Sequence, residues 1–117
     1  PLDNDAKLGP FAETEPGISG LESLLSLTLK LAQGEELPLQ QAIACLTQNP
    51  AQVLGIDAGH LSLGAKADIC IIDPKADSEC QPENFISAGK NSPFHGWHFD
   101  YDVAYTLLNG QIAYQKG

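Results

Sequence analysis

The sequence predicts a mixed α/β chain in which helices come first and strands follow. Three observations support this prediction. Leucine recurs at helical spacing across residues 21–31. Residues 69–72 form a short run of Ile and Cys that is typical of a strand. Asn109 and Gly110 form the dipeptide that most strongly favours a two-residue β-hairpin turn.

The first twenty residues are expected to form a loop, because proline and glycine interrupt them too often for a helix or strand to persist. These interruptions are Pro1, Gly9, Pro10, Pro16, Gly17 and Gly20. A loop of about twenty residues is uncommon in a compact domain, and long loops are often functional. We expect its acidic side chains to be solvated, and Lys7 to pair with Asp3 or Glu13 at the surface.

A helix is predicted directly after this loop. Ser19 and Glu22 have capping-box spacing, in which Ser19 would be the N-cap and Glu22 would reach back to its N–H. Leucine covers more than one face of the following segment, which predicts a helix that packs on two sides. Gly34 is the expected end of this helix.

Two shorter helices are expected next. The first covers residues 38–46 and has Pro38 in its first turn, where the missing N–H costs nothing. Residues 47–49 break it, and Pro50 then opens a short helix over residues 51–54. Gly55 is expected to end that helix.

The character of the sequence changes at Gly59. Residues 69–72 are expected to form a buried strand, and residues 103–108 and 111–114 two strands joined by the Asn109-Gly110 turn. Residues 75–99 are expected to be irregular. These strands are too few to close a sandwich alone, so they need partner strands from elsewhere.

Composition excludes some partners. The 117 residues contain 15 Asp and Glu against 6 Lys, no Arg, and a formal net charge of −9. Nucleic-acid and anionic membrane surfaces both require clustered cations, so neither is an expected partner. The three cysteines, Cys45, Cys70 and Cys80, are too scattered for a disulfide framework, which fits reduced thiols in a cytoplasmic protein.

Metal ligands are not expected in this chain. His95 and His98 lie three residues apart, but in a Pro/Gly-rich stretch we interpret them as surface residues. The nearby Trp97 and Phe99 are expected to pack in a core. An independent binding module with no enzyme ancestry remains an alternative for a chain of this kind.

Four segments together resemble dihydroorotase-type amidohydrolases. Residues 16–22 match the Pro-Gly-(Ile/Val)-x-Gly-Leu-Glu end of the family's last strand-to-helix loop. Residues 48–55 are similar to its asparagine-proline helix, and residues 59–68 to the turn that amidohydrolases widely share. Residues 90–96 resemble its Asn-(Ser/Thr)-Pro-Phe-x-Gly stretch.

The resemblance implies a C-terminal fragment of a metal-dependent (β/α)₈ barrel with strands of a small β-sandwich. Residues 1–58 would supply the last barrel loop and outer helices, and residues 59–117 the C-terminal sandwich portion. Such barrels carry their chemistry at the loops that follow the strands. The family's zinc ligands and catalytic Asp would all precede Pro1, so neither catalytic residues nor a metal are expected in this chain itself.

The family reaction is the reversible hydrolysis of dihydroorotate to N-carbamoyl-aspartate in de novo pyrimidine biosynthesis. By resemblance, Pro16 and Gly17 present backbone groups to the substrate. Leu2 stands where the family has a His that contacts the substrate carboxylate, and leucine offers no hydrogen bond. That change resembles non-catalytic dihydroorotase-like chains that support aspartate transcarbamoylase, and this role is the alternative to an active enzyme.

The resemblance also suggests partners. They are the remainder of the parent chain, further copies in a homo-oligomer, and, for the non-catalytic alternative, aspartate transcarbamoylase. The fragment alone is expected to have no hydrolytic activity, because a zinc hydrolase needs about three protein ligands.

Overall fold

The computed structural model describes residues 4–117, and the prediction for Leu2 therefore falls outside the described residues. The predicted N-terminal loop contains two single 3₁₀ turns, at Asn4–Lys7 and Phe11–Glu13, and is otherwise irregular up to the first helix. This agrees with the expected loop, because single 3₁₀ turns are short connecting pieces.

Three α-helices follow within the described residues: α1 at Leu24–Gln33, α2 at Leu39–Leu46 and α3 at Gln48–Leu54. The helix α1 begins later than expected, and the capping box is wrong. The Ser19 hydroxyl and the Glu22 carboxylate bind groups of a distant segment instead of α1. A tertiary contact has therefore replaced the local cap.

The ends of the helices differ less from the predicted positions. Gly34 still donates its N–H to the Lys30 carbonyl at 3.1 Å, and Glu35 takes the left-handed conformation with φ 61°. The helix α3 begins at Gln48, before Pro50, and not at residue 51 as expected. Gly55 ends α3 with φ 65°, as predicted.

The leucine pattern predicts that α1 packs on two sides, and for a fragment of a larger enzyme it predicts that apolar surface around Leu24–Leu31 is left exposed. Leu29 is 1% exposed, and a leucine buried to this degree stabilises a fold by about 1.5–3 kcal/mol. Leu24 and Leu31, by contrast, are each about half exposed. The described residues thus cover one side of α1 and leave apolar surface on the other.

The strands are β1 at Ile69–Asp73, β2 at Ser78–Glu79, β3 at His98–Phe99, β4 at Asp102–Leu108 and β5 at Gln111–Gln115. An antiparallel sheet has the order β1-β4-β5, and β2 pairs with β3. The short strands β2 and β3, with a 3₁₀ turn at Pro82–Asn84, add some order to the stretch that was expected to be irregular.

The β4–β5 hairpin forms as predicted. Asn109 and Gly110 have φ values of 50° and 77°, the two positive values that a type I′ turn requires. The expectation that β1 is buried is wrong for the described residues, because Ile71 is 46% exposed. A strand of a small sheet is covered on both faces only when other layers pack against it.

Backbone contacts divide the chain into two compact units. One unit combines the described part of residues 1–24 with Glu79–His98, and the other combines Leu25–Ser78 with Phe99–Gly117. Cys80 is buried in the first unit, and Leu29, Ala42 and Phe99 are buried in the second. From the sequence, a boundary is expected between residues 58 and 59, where the barrel portion of the parent ends and the sandwich portion begins. This boundary stays a prediction.

Phe99 is buried as expected, and for Trp97 the expected packing between the sandwich and the barrel of the parent chain stays a prediction. Phe99 is 6% exposed and belongs to the core of the second unit, as expected. Trp97 is 43% exposed and packs edge-on against Phe94 in the first unit, with ring centroids 5.1 Å apart. An edge-to-face contact of this kind suits the aromatic quadrupole, but it leaves much of the indole uncovered.

Candidate functional site

The candidate site lies in the first unit, where the end of the N-terminal loop meets residues 85–91. Gly17 has φ 101°, a conformation that side chains rarely adopt, and a Cβ there would meet nothing within 4 Å. Glycine is therefore required by the backbone angle and not by lack of space. The Pro16-Gly17 pair forms the sharp bend from which the rest of the site is built.

The Gly17 carbonyl accepts two hydrogen bonds. Lys7 Nζ donates to it at 2.9 Å, and Asn91 Nδ2 donates at 3.1 Å. Lys7 Nζ also donates to the Glu15 carbonyl. Within residues 4–117 these carbonyls, and not Glu13, are the partners of the ammonium group, whereas the other expected partner, Asp3, lies outside the described residues.

Two hydrogen bonds join Asn91 and Ser19. The Ser19 hydroxyl donates to Asn91 Oδ1 at 2.9 Å, and the Ser19 N–H donates to the Asn91 carbonyl at 3.0 Å. With the bond to Gly17, Asn91 therefore contacts the loop through three polar groups. Buried or half-buried amides that satisfy several partners fix the geometry of a segment.

Glu22 holds the same two segments together at a second point. Its carboxylate accepts the N–H groups of Ile86 and Ser87, each at 2.9 Å. These hydrogen bonds, chiefly those from Ser87, lower the pKa of Glu22 below its ordinary value, and the positive charge of Lys90 acts in the same direction. The charged form of Glu22 is thus the one that holds the loop.

Between the two segments lies an open groove of about 640 Å³. Residues 17–19 and Leu21 line one side, and residues 87–89 and Asn91 line the other. This size is within the range of small-molecule sites, which are mostly apolar with a few placed polar groups. Within residues 4–117, the Ile18 N–H has no hydrogen-bond acceptor.

The structure brings together some of the predicted site residues. Gly17 lines the groove, and Pro16 precedes it at the exposed bend. Leu2 lies outside the described residues. Sequence reasoning gave no role to Asn91, Ser19 or Glu22 as a contact between segments, although Asn91 was already part of a motif, residues 90–96.

The described residues do not fit a metal. In the part of the chain that the structure describes, no group of three or more His, Cys, Asp or Glu side chains could hold an ion. His60 Nε2 lies 2.8 Å from Asp57, and His95 Nε2 lies 4.0 Å from Glu83, each as an isolated pair. The cysteines Cys45, Cys70 and Cys80 are free.

Residues 26–114 match the family model described as "Amidohydrolase family". This match covers well over half of the chain. The chain belongs to the amidohydrolase family. Membership excludes the alternative of a module without enzyme ancestry, and it confirms the resemblance that the loop and turn motifs carried.

The similarity to individual curated relatives is more specific than the match to the family model. A dihydroorotase of Geobacter sp. (strain M21) is 42% identical over 101 residues, which is 86% of this chain and 24% of the relative. A dihydroorotase-like protein of Pseudomonas aeruginosa is 44% identical over 115 residues, which is 98% of this chain and 27% of the relative. The chain thus spans about a quarter of the length of the curated relatives that it matches.

Solved structures support the predicted fold class. A D-hydantoinase (dihydropyrimidinase) from Thermus sp. superimposes with a TM-score of 0.85 at 19% identity, over 98% of this chain and 26% of that one. Another D-hydantoinase gives a TM-score of 0.83 at 22% identity, over 96% and 25%. This amidohydrolase chain therefore has the fold of one quarter of a hydantoinase. No helix within residues 4–117 is long and apolar enough to cross a membrane.

Proposed function

We propose that this chain is the C-terminal part of a dihydroorotase-like cyclic amide hydrolase of de novo pyrimidine biosynthesis, and that it supplies the substrate loop. The observation that carries the proposal is the groove beside Gly17, whose loop is held in place by Lys7 and Asn91. Identities of 42–44% with a dihydroorotase and a dihydroorotase-like protein support the reaction class.

In this proposal the chain binds and orients the substrate. Dihydroorotate and N-carbamoyl-aspartate carry carbonyl and carboxylate oxygens, which accept hydrogen bonds from backbone N–H groups. The Ile18 N–H offers such a donor, and Leu21 offers apolar contact. Donors that are fixed before the substrate arrives lose little entropy on binding.

Zinc belongs to the parent in this proposal. When bound there, it would activate water and polarise the ring amide. The described residues of this chain hold no group that fits it, so no step here depends on their ligation. We expect the 117-residue chain alone to have no hydrolytic activity, because the family resemblance places the metal ligands in the remainder of the parent.

The exposed apolar surface favours the remainder of the parent chain as a partner. Phe11, Leu63 and Ile86 are each almost fully exposed within the described residues. Large apolar side chains that the described residues leave uncovered are buried when another part of the protein packs against them. We also propose a homo-oligomer and a cytoplasmic location for the parent.

The test compares the full-length parent with the 117-residue chain. Each is purified with zinc and assayed for hydrolysis of dihydroorotate and for formation of dihydroorotate from N-carbamoyl-aspartate. The expected result is turnover by the parent and none by the isolated chain. Turnover by the isolated chain, or a parent that neither binds nor hydrolyses dihydroorotate, contradicts the proposal.

A non-catalytic dihydroorotase-like subunit that supports aspartate transcarbamoylase is the second candidate. Leu2, in place of the family's His, favours it, and so does the 44% identity to a protein named dihydroorotase-like. Loss of one charged hydrogen bond costs about 1.5–3 kcal/mol, so Leu2 alone weakens catalysis without abolishing it. An inert parent that stays inert after Leu2→His, yet co-purifies with the transcarbamoylase, would establish this role.

A further inference from the structure

Two segments about seventy residues apart form one polar contact in the first unit. The Asn91 side-chain amide lies between the carbonyl of Gly17 and the hydroxyl of Ser19, at 3.1 Å and 2.9 Å. A carbonyl oxygen can only accept a hydrogen bond, so the nitrogen of the amide must face Gly17. The oxygen of the amide then faces Ser19, which completes a consistent set of donors and acceptors.

This contact also fixes a neighbouring donor. The Gly17 carbonyl and the Ile18 N–H belong to the same planar peptide unit, and the described residues contain no cis peptide bond. In a trans peptide these two groups point in opposite directions. Because Asn91 and Lys7 donate hydrogen bonds to the carbonyl, they also set the direction in which the Ile18 N–H faces.

Gly89 restricts the same contact from a second side. A Cβ placed on Gly89 would lie 2.4 Å from Ser19 Oγ, closer than real Cβ contacts allow. The hydroxyl of Ser19 therefore sits against the backbone of Gly89 while it donates to Asn91. The orientation of the amide is thus maintained by packing as well as by hydrogen bonds.

We infer that Asn91 is a positioning residue for substrate binding, which acts by orienting the Gly17–Ile18 peptide so that its N–H meets an acceptor oxygen of the substrate. This inference rests on the proposed function. It assigns Asn91 to substrate affinity and not to the bond-breaking step, because Asn91 acts through the peptide. Lys7, the second donor to the same carbonyl, has a supporting role.

Asn91→Asp in the full-length protein is the most specific variant. It keeps the size of the side chain but replaces the donor that faces the Gly17 carbonyl with an oxygen, so attraction becomes repulsion. The matched control is Asn84→Asp, the same change in the same unit, where the lost donor faces the Gln81 side chain. Ser19→Ala is a milder second variant, since it removes only the hydroxyl that orients the amide.

Two measurements are needed. Steady-state kinetics should show KM for dihydroorotate raised about tenfold or more in Asn91→Asp and a few-fold in Ser19→Ala, with kcat nearly unchanged. Hydrogen exchange by mass spectrometry should show faster exchange across residues 17–20 in both variants. Asn84→Asp should match the wild type in both measurements. A merely structural residue would lower the active fraction, and so the apparent kcat, without raising KM.

The outcomes separate this inference from the proposed function. Unchanged exchange in residues 17–20 overturns the positioning role whatever the activity, and so does unchanged KM in an active protein. A wild-type protein that neither binds nor turns over dihydroorotate overturns the proposed function, and exchange then still decides whether Asn91 holds the loop. Faster exchange together with raised KM supports both.

Discussion

In the first unit, residues 17–22 bind residues 86–91, which we call the loop contact. This loop contact and the β-sheet of the second unit are held together by different kinds of hydrogen bond. In the sheet, β4 pairs with β1 and β5 through backbone groups that every residue carries, with partners such as Ile69 and Leu107. In the loop contact, four of the hydrogen bonds involve a side chain, which binds a backbone group or another side chain 64–74 residues away, and one further bond joins the Ser19 N–H to the Asn91 carbonyl. The sheet therefore tolerates many sequences, whereas the loop contact depends on Asn91, Ser19 and Glu22 in particular.

This difference in bonding predicts which substitutions destabilise a whole unit and which free only a loop. Backbone contacts in the second unit are part of its cooperative fold, so their loss lowers the free energy of unfolding of the whole unit. Side-chain contacts of a loop free that loop alone when they are removed. Three substitutions, from the largest expected effect to the smallest, test this distinction.

Gly59→Ala should have the largest effect. Gly59 has φ 77°, and a Cβ there would lie 2.6 Å from the carbonyl carbon of Thr47, which is backbone and cannot move alone. We expect a loss of about 3 kcal/mol in the free energy of unfolding, from the left-handed angle and the clash together. Urea unfolding of the full-length protein measures it.

Gly64→Ala is the control for that variant. Gly64 has φ 84°, but a Cβ there would meet nothing within 4 Å, so only the angle is penalised. The expected loss is about 1 kcal/mol. Equal losses for the two variants would show that the close approach of Gly59 to Thr47 contributes nothing.

Gly89→Ala should have a smaller and local effect. The new methyl group would displace the Ser19 hydroxyl and break its hydrogen bond to Asn91, which is worth about 1 kcal/mol. We expect hydrogen exchange to increase about fivefold across residues 17–20, with the global unfolding midpoint unchanged.

Gly9→Ala is its control, because a Cβ on Gly9 would make only an ordinary contact at 3.9 Å with Glu13. It should leave exchange in residues 17–20 as in the wild type. If Gly89→Ala instead lowers the global midpoint, the loop contact is part of the cooperative fold, and the contrast between the two regions fails.

Glu22→Gln should have the smallest effect, and one that depends on pH. The pKa of Glu22 is lowered in the folded protein by the N–H groups of Ser87 and Ile86, so its stabilising contribution is present above the unfolded pKa. That contribution is lost as pH falls through the folded pKa. The wild-type loop should therefore exchange more slowly than the variant at pH 7, and the difference should vanish in acid.

Glu13→Gln, which changes an exposed acidic residue of the same unit, is the control for Glu22→Gln. It should leave exchange in residues 17–20 unchanged across the same range of pH. A difference between Glu22→Gln and wild type that persists in strong acid would mean that Glu22 acts through packing and not through its charge.

Elements whose causes are local could be predicted from the sequence alone. Helical spacing located α1 and α2, an apolar run located β1, and Asn109-Gly110 located the β4–β5 turn, because periodicity and turn angles are properties of a few adjacent residues. The Pro16-Gly17 bend and the family resemblance were likewise readable from short motifs.

The partners of the polar side chains in the loop, by contrast, depend on the tertiary structure. Ser19 and Glu22 have the spacing of a helix cap, yet their partners are Asn91, Ile86 and Ser87. The side chain of a capping residue can bind either a local backbone N–H or a distant polar group that the fold brings within about 3 Å, and the two arrangements are close in energy. Which arrangement forms depends on the segments that meet in space. A pattern of neighbouring residues contains no information about those segments.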